Sequence, residues 1–263
     1  MKLAGWGVIK ELIEMSDVVL ELVDIRDPLV TRSPKLESLV RSSSKQLIIV
    51  LNKADLVPRS VAEAWRKYFT TQGMNSVYIS ARERLGSRVL RNEIKRIAIK
   101  TPVVVLITGL PKVGKSTLIN TLKGRHSAST SPLPGSPGYT TKAQLYRVGG
   151  NMYLIDTPGL IPPEGDDVDL VIRAKPIDEI NNVIAVAVRL INKVIQYNRN
   201  AFKEAYGIDV LDPEAILRAV ALKRGWTAKG SGEALITEAA KAIIRDYLEG
   251  KIVYYYLPPA PRG

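Results

Sequence analysis

The sequence predicts an α/β domain followed by an all-helical domain. From about residue 17 to residue 156, short apolar runs rich in β-branched residues alternate with amphipathic segments of helical period. That alternation is typical of a mostly parallel sheet covered by helices. After Pro162-Pro163 the pattern changes to helical stripes. We therefore expect an α/β domain over residues 1–165 and a helical domain over residues 166–263.

The elements of the first domain follow from apolar periodicity and from Gly, Pro and Ser punctuation. Ser33-Pro34 predicts a helix start, with Ser33 as N-cap and Pro34 in the first turn. Residues 126–141 are rich in Ser, Pro, Gly and Thr and predict an irregular loop. Strands are predicted over residues 18–23, 47–51, 77–79, 103–108, 143–148 and 152–155, and helices over residues 5–15, 60–71 (capped by Ser60), 85–100 and 118–122.

The second domain shows three helical stretches. Asp212-Pro213 opens one of them and Gly225 closes it. Residues 252–259 read as extended, and their three tyrosines either pack back on the domain or stack on RNA bases. The other two stretches carry apolar stripes at Ile180, Val183, Ile184, Ala187, Ile191 and Val194, and at Ile236, Ala240, Ile243, Ile244 and Tyr247.

A glycine-rich segment from Gly109 to Thr117 lies between a predicted strand and a predicted helix. It fits the pattern G-x-x-x-x-G-K-[ST], in which backbone N–H groups converge on a polyphosphate at a helix N-terminus. Lys115 would reach the outer phosphates, and the Ser116 hydroxyl would ligate Mg²⁺. A simple glycine turn is the structural alternative. The predicted binding residues are Gly109, Pro111, Lys112, Val113, Gly114, Lys115, Ser116 and Thr117.

Two further strand ends predict the rest of a nucleotide site. In Leu154-Ile-Asp-Thr-Pro-Gly159, Asp156 would bind Mg²⁺ through water, and the Gly159 N–H would meet a γ-phosphate. Upstream, a strand ends in Asn52-Lys-Ala-Asp55, where the Asp55 carboxylate can accept two N–H groups on one edge of guanine. Adenine lacks that pair of donors, so a site built around Asp55 rejects it.

A second run supports the reading of the base. In the guanine site, Asn52 and Lys53 would brace the ring. Tyr78-Ile-Ser80-Ala81 ends another strand-like run, and there Ser80 accompanies an Ala81 N–H that would meet guanine O6. Each match is weak alone, but together they predict a site for GTP or GDP.

The order of these motifs is that of a circularly permuted GTPase, because the base-reading runs precede the phosphate loop. The segment Asp17 to Leu29, continuing through Arg32-Ser-Pro34, resembles the D-A-R-x-P region of the YlqF/RbgA family of ribosome-assembly GTPases. Lys223-Arg-Gly225 and the segment Ile244 to Ile252 are similar to the carboxyl-terminal part of that family. The resemblance implies a circularly permuted Ras-like P-loop GTPase domain and a ribosomal partner.

The resemblance also implies roles for individual residues. Thr140, in the loop that matches the family's P-G-x-T, would close on Mg²⁺ and the γ-phosphate. The alternatives are Thr141 in this role or a purely structural loop threonine. The implied metal ligands are thus Ser116, Thr140 and Asp156, and the implied catalytic groups are Lys115, Thr140 and Gly159.

The usual water-orienting glutamine after the DxxG motif is missing. Leu160 and Ile161 occupy that region, and neither side chain forms hydrogen bonds. His126, the single histidine, lies in the predicted switch loop. The histidine of the family lies instead near the amino terminus. We expect slow intrinsic hydrolysis that a partner completes, or a GTP-gated scaffold with negligible hydrolysis. A P-loop ATPase or kinase is the third, less favoured class.

Composition limits the partners and the location. The net charge is +12 and almost all of the basic excess lies in residues 1–165, which indicates ribosomal RNA or a pre-ribosomal large subunit as partner. Without cysteine the chain has no disulfide, and no run approaches a membrane span. We expect a cytoplasmic monomer that does not bind membranes. A basic stripe at Arg84, Arg88, Arg91 and Lys95 is either an RNA contact or a solvated face.

Overall fold

The computed structural model describes residues 5–123, 129–132, 144–149, 151–156 and 161–260. Within these residues the chain divides into two compact units. The first comprises residues 5–163 together with residues 257–260, and the second comprises residues 164–256. The chain therefore leaves the first unit once and returns to it near the carboxyl terminus.

The first unit contains a seven-stranded sheet in the order β3-β2-β1-β4-β7-β6-β5. The first five strands of that order are parallel, and β6 and β5 continue the sheet antiparallel. Every residue of β1 is buried, as expected for a central parallel strand covered on both faces. The strands are β1 (Val18–Asp24), β2 (Gln46–Asn52), β3 (Asn75–Tyr78), β4 (Val103–Gly109), β5 (Ser129–Pro132), β6 (Gln144–Arg147) and β7 (Met152–Asp156).

Strand β5 corrects the expectation that residues 126–141 are entirely irregular. Ser129 pairs with Tyr146 and Thr130 with Leu145, with a register shift before Pro132. The local composition disfavours a strand, but β6 supplies the backbone partners, and the proline lies on an edge strand, where a missing N–H is tolerated.

The helices of the first unit are α1 (Trp6–Glu14), α2 (Pro28–Thr31), α3 (Pro34–Ser42), α4 (Arg59–Thr71), α5 (Ser87–Ile97) and α6 (Lys115–Lys123). Ser33 caps α3 as predicted, since its hydroxyl accepts the Leu36 N–H at 3.2 Å. The prediction that Ser60 caps α4 is wrong. The chain already enters the helix at Arg59, and Pro58 is its N-cap without a side-chain bond.

Helix α5 is shorter than predicted, and only part of its predicted basic stripe is exposed to solvent. Gly86, with φ of +76°, caps the helix, so Arg84 lies in the preceding turn. Arg91 is half-buried: one guanidinium nitrogen donates to the Val148 carbonyl at 3.0 Å and the other donates to the Leu122 carbonyl. Burial lowers the pKa of Arg91. Arg91 therefore has a structural role, because it connects α5 to α6 and to the residue after β6.

The second unit consists of α7 (Val168–Ala174), α8 (Val183–Tyr197), α9 (Ala201–Tyr206), α10 (Pro213–Lys223) and α11 (Ile236–Glu249) around one apolar core. Asp212 caps α10 as predicted, accepting the Ala215 N–H at 2.8 Å. Ile180 lies outside α8, because Asn182 caps that helix. None of the helices in the described ranges is long and apolar enough to span a membrane.

A fully buried ion pair lies inside the second unit. Arg173 and Asp169 are 3.2 Å apart with both side chains inaccessible, and the Lys193 ammonium lies 3.2 Å from the same carboxylate. The hydroxyls of Tyr247 and Tyr254 donate to the two Asp169 oxygens at 2.7 and 2.8 Å. This network joins α7, α8 and α11 through bonds that a buried carboxylate requires.

The first unit has a buried carboxyl group with a perturbed titration. Glu21, in the middle of β1, is 1% exposed and accepts the Ser33 N–H at 2.5 Å. Burial, followed by the charge of Glu37, raises the pKa of Glu21 well above its ordinary value of 4.5. Arg32, which pairs with Glu37, offsets only part of that effect.

The raised pKa predicts a pH-dependent stability. The folded state holds the Glu21 proton more tightly than the unfolded chain, so this contribution is complete below pH 4.5 and is lost as pH rises through the folded pKa. Glu21→Gln should equal the wild type near pH 4.5 and exceed its free energy of unfolding at pH 8, by a margin that grows as pH rises through the folded pKa. Urea denaturation across this range is the measurement.

The control variant is Glu63→Gln. Glu63 is a carboxylate about half exposed to solvent, and its hydrogen bond to Arg66 lowers its pKa. Its substitution should give no stabilisation that grows with pH. A Glu21→Gln difference that stays constant from pH 4.5 to pH 8 would contradict the assignment.

Candidate nucleotide-binding site

The predicted motifs lie at one edge of the sheet. Strands β2, β1, β4 and β7 are parallel neighbours, so their carboxyl ends meet at the same edge. Asn52 ends β2, Gly109 ends β4 and Asp156 ends β7. The crevice outside the carboxyl ends of parallel strands is where open α/β sheets bind ligands.

The phosphate-loop segment joins β4 to α6 as the sequence predicts. Gly109 has φ of +148°, and a Cβ there would lie 2.5 Å from the Leu22 carbonyl oxygen of β1, so only glycine fits. Lys115, at the start of α6, is 8% exposed, whereas Ser116 and Thr117 are exposed. Lys112 lies in the left-handed region with φ of +63°.

Asn52 connects three segments that are far apart in the sequence. Its side-chain N–H donates to the Val113 carbonyl of the phosphate loop at 2.8 Å. Its side-chain oxygen accepts the Ala81 N–H at 3.0 Å. Asn52 is 2% exposed, so both bonds are shielded from water. One side chain thus fixes the phosphate loop against both base-reading runs.

Gly114 is the counterpart of that contact. It has φ of +103°, and a Cβ at this position would collide with the Nδ2 atom of Asn52. A side chain at residue 114 would therefore push the amide away from the Val113 carbonyl. The glycine of the phosphate motif is required by the base-reading motif as well as by the loop itself.

Asp55 is held by two donors. The Ser80 hydroxyl donates to one carboxylate oxygen at 2.5 Å, and the Arg82 guanidinium lies 2.8 Å from the other. Helix α6 joins the same cluster, because the Thr121 hydroxyl donates to the Ala81 carbonyl at 2.9 Å. The two runs that would read the base therefore form one hydrogen-bonded group on α6.

Some of the predicted site residues lie together in the structure, and others lie outside the described residues. The structure brings the Asn52–Asp55 run, Ser80, Ala81 and the phosphate loop together, and Asp156 follows at the neighbouring strand end. Thr140, Thr141, Gly159, Leu160 and His126 lie outside the described residues.

Sequence reasoning passed over two features. Arg82 follows the Ser80-Ala81 pair and contacts Asp55, but the motif pointed only to its first two residues. Asp24 and Arg26 are completely buried at the end of β1. Both residues belong to an Asp-x-Arg-x-Pro pattern in the sequence. That pattern indicates the family but does not reveal which contacts the two side chains make.

Comparison with known families agrees with this geometry. A family model described as RsgA GTPase matches residues 31–164. The chain belongs to the RsgA GTPase family. The matched region contains both base-reading runs, the phosphate loop and the strand that ends in Asp156.

Two curated relatives match nearly the whole of this RsgA-family chain. It is 37% identical over 253 residues to the uncharacterized GTP-binding protein MJ1464 of Methanocaldococcus jannaschii, covering 94% of this chain and 66% of that protein. It is 33% identical over 269 residues to nucleolar GTP-binding protein 2 of Neurospora crassa, covering 97% and 42%. The chain thus spans less than two-thirds of the length of these curated relatives.

A solved structure shows the fold of this RsgA-family chain. GNP-bound YlqF from T. maritima matches with a TM-score of 0.70 and 25% identity, covering 97% of this chain and 98% of that one. The expected resemblance to YlqF and the fold class are confirmed: a circularly permuted P-loop GTPase fold with a helical carboxyl-terminal region.

The contacts of Asp55 predict a change of base specificity. Asp55→Asn should weaken GDP binding by at least about tenfold and strengthen xanthosine diphosphate binding, because the amide can donate to the additional ring oxygen. Each charge-assisted hydrogen bond that is lost costs about 1.5–3 kcal/mol. Equilibrium titration with both nucleotides measures the change.

Asp17→Asn is the matched control. The Asp17 side chain is 13% exposed, as is that of Asp55, and it is paired with Lys100 at the start of β1. This variant should bind GDP like the wild type. Unchanged GDP affinity in Asp55→Asn would refute the guanine assignment.

Proposed function

We propose that the protein binds GTP and GDP with Mg²⁺, hydrolyses GTP slowly and acts as a switch in ribosome assembly, with ribosomal RNA or a pre-ribosomal large subunit as partner. The observation that carries the nucleotide part is the pair of hydrogen bonds that the Asn52 side chain forms with Val113 and with Ala81. It couples a phosphate loop to a carboxylate, Asp55, that suits guanine.

Magnesium fits the oxygen donors at the sheet edge. Ser116 offers an exposed hydroxyl in the first turn of α6, and Asp156 is the last residue of β7, the strand beside β4. Hydroxyl, carboxylate and phosphate oxygens are the ligands that Mg²⁺ prefers. When bound, the ion neutralises charge on the phosphates. Thr140 is the further ligand proposed from the family motif.

The proposed catalytic groups are Lys115, Thr140 and Gly159. The buried ammonium of Lys115 at the start of α6 would hold negative charge that develops on the outer phosphates. Leu160 occupies the position of the usual glutamine and cannot orient water. We therefore propose that the particle supplies the missing group.

The output of the switch is proposed to be the helical unit, residues 164–256, as an RNA- or ribosome-interacting domain. The Ile161 N–H donates to the Gly109 carbonyl at 3.2 Å, so the segment after the DxxG motif is tied to the end of β4. The chain continues into the helical unit and rejoins the first unit at Leu257. The chain therefore runs between the first unit and the helical unit at both ends of the latter.

The proposal predicts stimulated turnover. GTP hydrolysis should be slow for the protein alone and rise at least about tenfold with purified large ribosomal subunits, because the particle completes a site that lacks a water-orienting group. Phosphate release under single-turnover conditions is the measurement. Lys115→Ala should remain slow with subunits present.

Other outcomes separate the alternatives. A rate that stays flat with subunits, together with GTP-dependent RNA binding, supports a GTP-gated scaffold instead. Competition by ATP as strong as by GTP supports a P-loop ATPase or kinase and would refute the guanine switch.

A basic surface on α5 is proposed to contact RNA phosphates. Arg88 and Lys95 are exposed, and neither has an ion-pair partner among the described residues. Arg91 does not belong to this surface, because its donors are used within the fold.

Neutralising that surface should change the salt dependence of RNA binding. Arg88→Gln with Lys95→Gln should reduce the slope of log affinity against log salt by about 1.4–1.8, with GDP affinity unchanged. The control is Arg66→Gln with Lys100→Gln, two exposed cations outside α5 that are already paired with Glu63 and Asp17. An equal effect in both double variants would mean that the α5 surface has no special role.

A further inference from the structure

The carboxyl end of β1 carries a buried cluster of charges beside the candidate base site. The Asp24 carboxylate and the Arg26 guanidinium are both inaccessible and form two parallel contacts, of 2.9 and 2.8 Å. The Thr31 hydroxyl accepts the Asp24 N–H at 3.0 Å, which fixes the backbone there. Arg26 therefore already neutralises the Asp24 charge, through the two-point contact that stabilises a buried ion pair.

A second cation contacts the same carboxylate. The Lys53 ammonium lies 2.9 Å from the Asp24 Oδ2 atom, and the Lys53 side chain is 16% exposed. Asp24 and Asn52 are direct neighbours in the parallel pairing of β1 and β2, and the Ile25 N–H donates to the Asn52 carbonyl at 3.0 Å. Asp24 thus reaches the residue that separates Asn52 from the turn carrying Asp55.

The backbone of that residue is strained. Lys53 has φ of +66°, a left-handed conformation that is unfavourable for a residue with a side chain. Such a conformation persists where neighbouring groups over-determine it. The turn after Lys53, Ala54–Leu56, contains Asp55. Both the strained residue and its anchor lie directly before the carboxylate that would read guanine.

We propose that Asp24 is a positioning residue for base recognition. It holds the Lys53 side chain, and through Lys53 it fixes the turn that presents Asp55 to the base. Arg26 holds the Asp24 carboxylate in the orientation that this contact needs. The inference rests on the proposed guanine site and assigns a role to charged residues that the fold of β1 alone does not require.

The test is GDP and ADP binding in the presence of Mg²⁺, measured by titration calorimetry on the full chain. Asp24→Asn with Arg26→Met removes both buried charges and leaves Lys53 without its anchor. GDP affinity should fall at least about tenfold, while ADP affinity, which depends on the phosphate loop, stays within about threefold. A general structural role would weaken both nucleotides equally and would overturn the proposal.

Lys53→Met leaves the buried pair intact and tests the same link from the other side. It should lose GDP affinity to a similar extent, and Lys53→Arg should restore most of it. Adding Asp24→Asn and Arg26→Met to Lys53→Met should change GDP affinity by less than about threefold, since Asp24 acts through Lys53. Fully multiplicative losses, or wild-type affinity in Lys53→Met, would overturn the proposal.

The second unit contains a matched control. Asp169, Arg173 and Lys193 form the same kind of buried carboxylate with two cations. Asp169→Asn with Arg173→Met should lower the melting temperature and leave GDP affinity unchanged. If the wild type binds GDP and ADP equally, the guanine site itself fails. If it prefers GDP and the Asp24 variants keep that preference, only the positioning role fails.

Discussion

The space beside Gly114 cannot hold a side chain, because the amide of Asn52 occupies it. This steric constraint keeps the loop that would hold phosphates within 2.8 Å of the motif that would read the base. Ala81 is bound to the other end of the same amide. A substitution that moves Asn52 therefore acts on all three segments at once, and neither half of the site can be placed without the other.

Circular permutation leaves this constraint intact. The segments that meet at Asn52 are contributed by β2, the run after β3 and the loop after β4. Their contact depends on which strands are neighbours in the sheet and on which edge carries their carboxyl ends, and both are independent of where the chain begins. The permutation changes the path of the chain after the DxxG motif: the chain passes into the helical unit and later returns at Leu257.

Sequence patterns predicted the features that depend on local chemistry. The β2 and β4 strands, the phosphate loop and the capped starts of α3 and α10 follow from apolar runs, glycines and N-cap residues. Features set by distant partners were missed. β5 forms because β6 pairs with it, and Arg91 is held by two carbonyls remote in sequence. Arg82 and Asp24 belong to motifs whose contacts, and hence roles, appear only in three dimensions.

The central claim is that the base-reading runs and the phosphate loop form one site for guanine nucleotides. Amide hydrogen exchange with GDP and with ADP, each with Mg²⁺, tests it most directly. GDP should slow exchange in residues 109–117 and also in residues 80–82. ADP should protect only residues 109–117. Protection by GDP that stops at the phosphate loop, or equal protection of both segments by ADP, would contradict the claim.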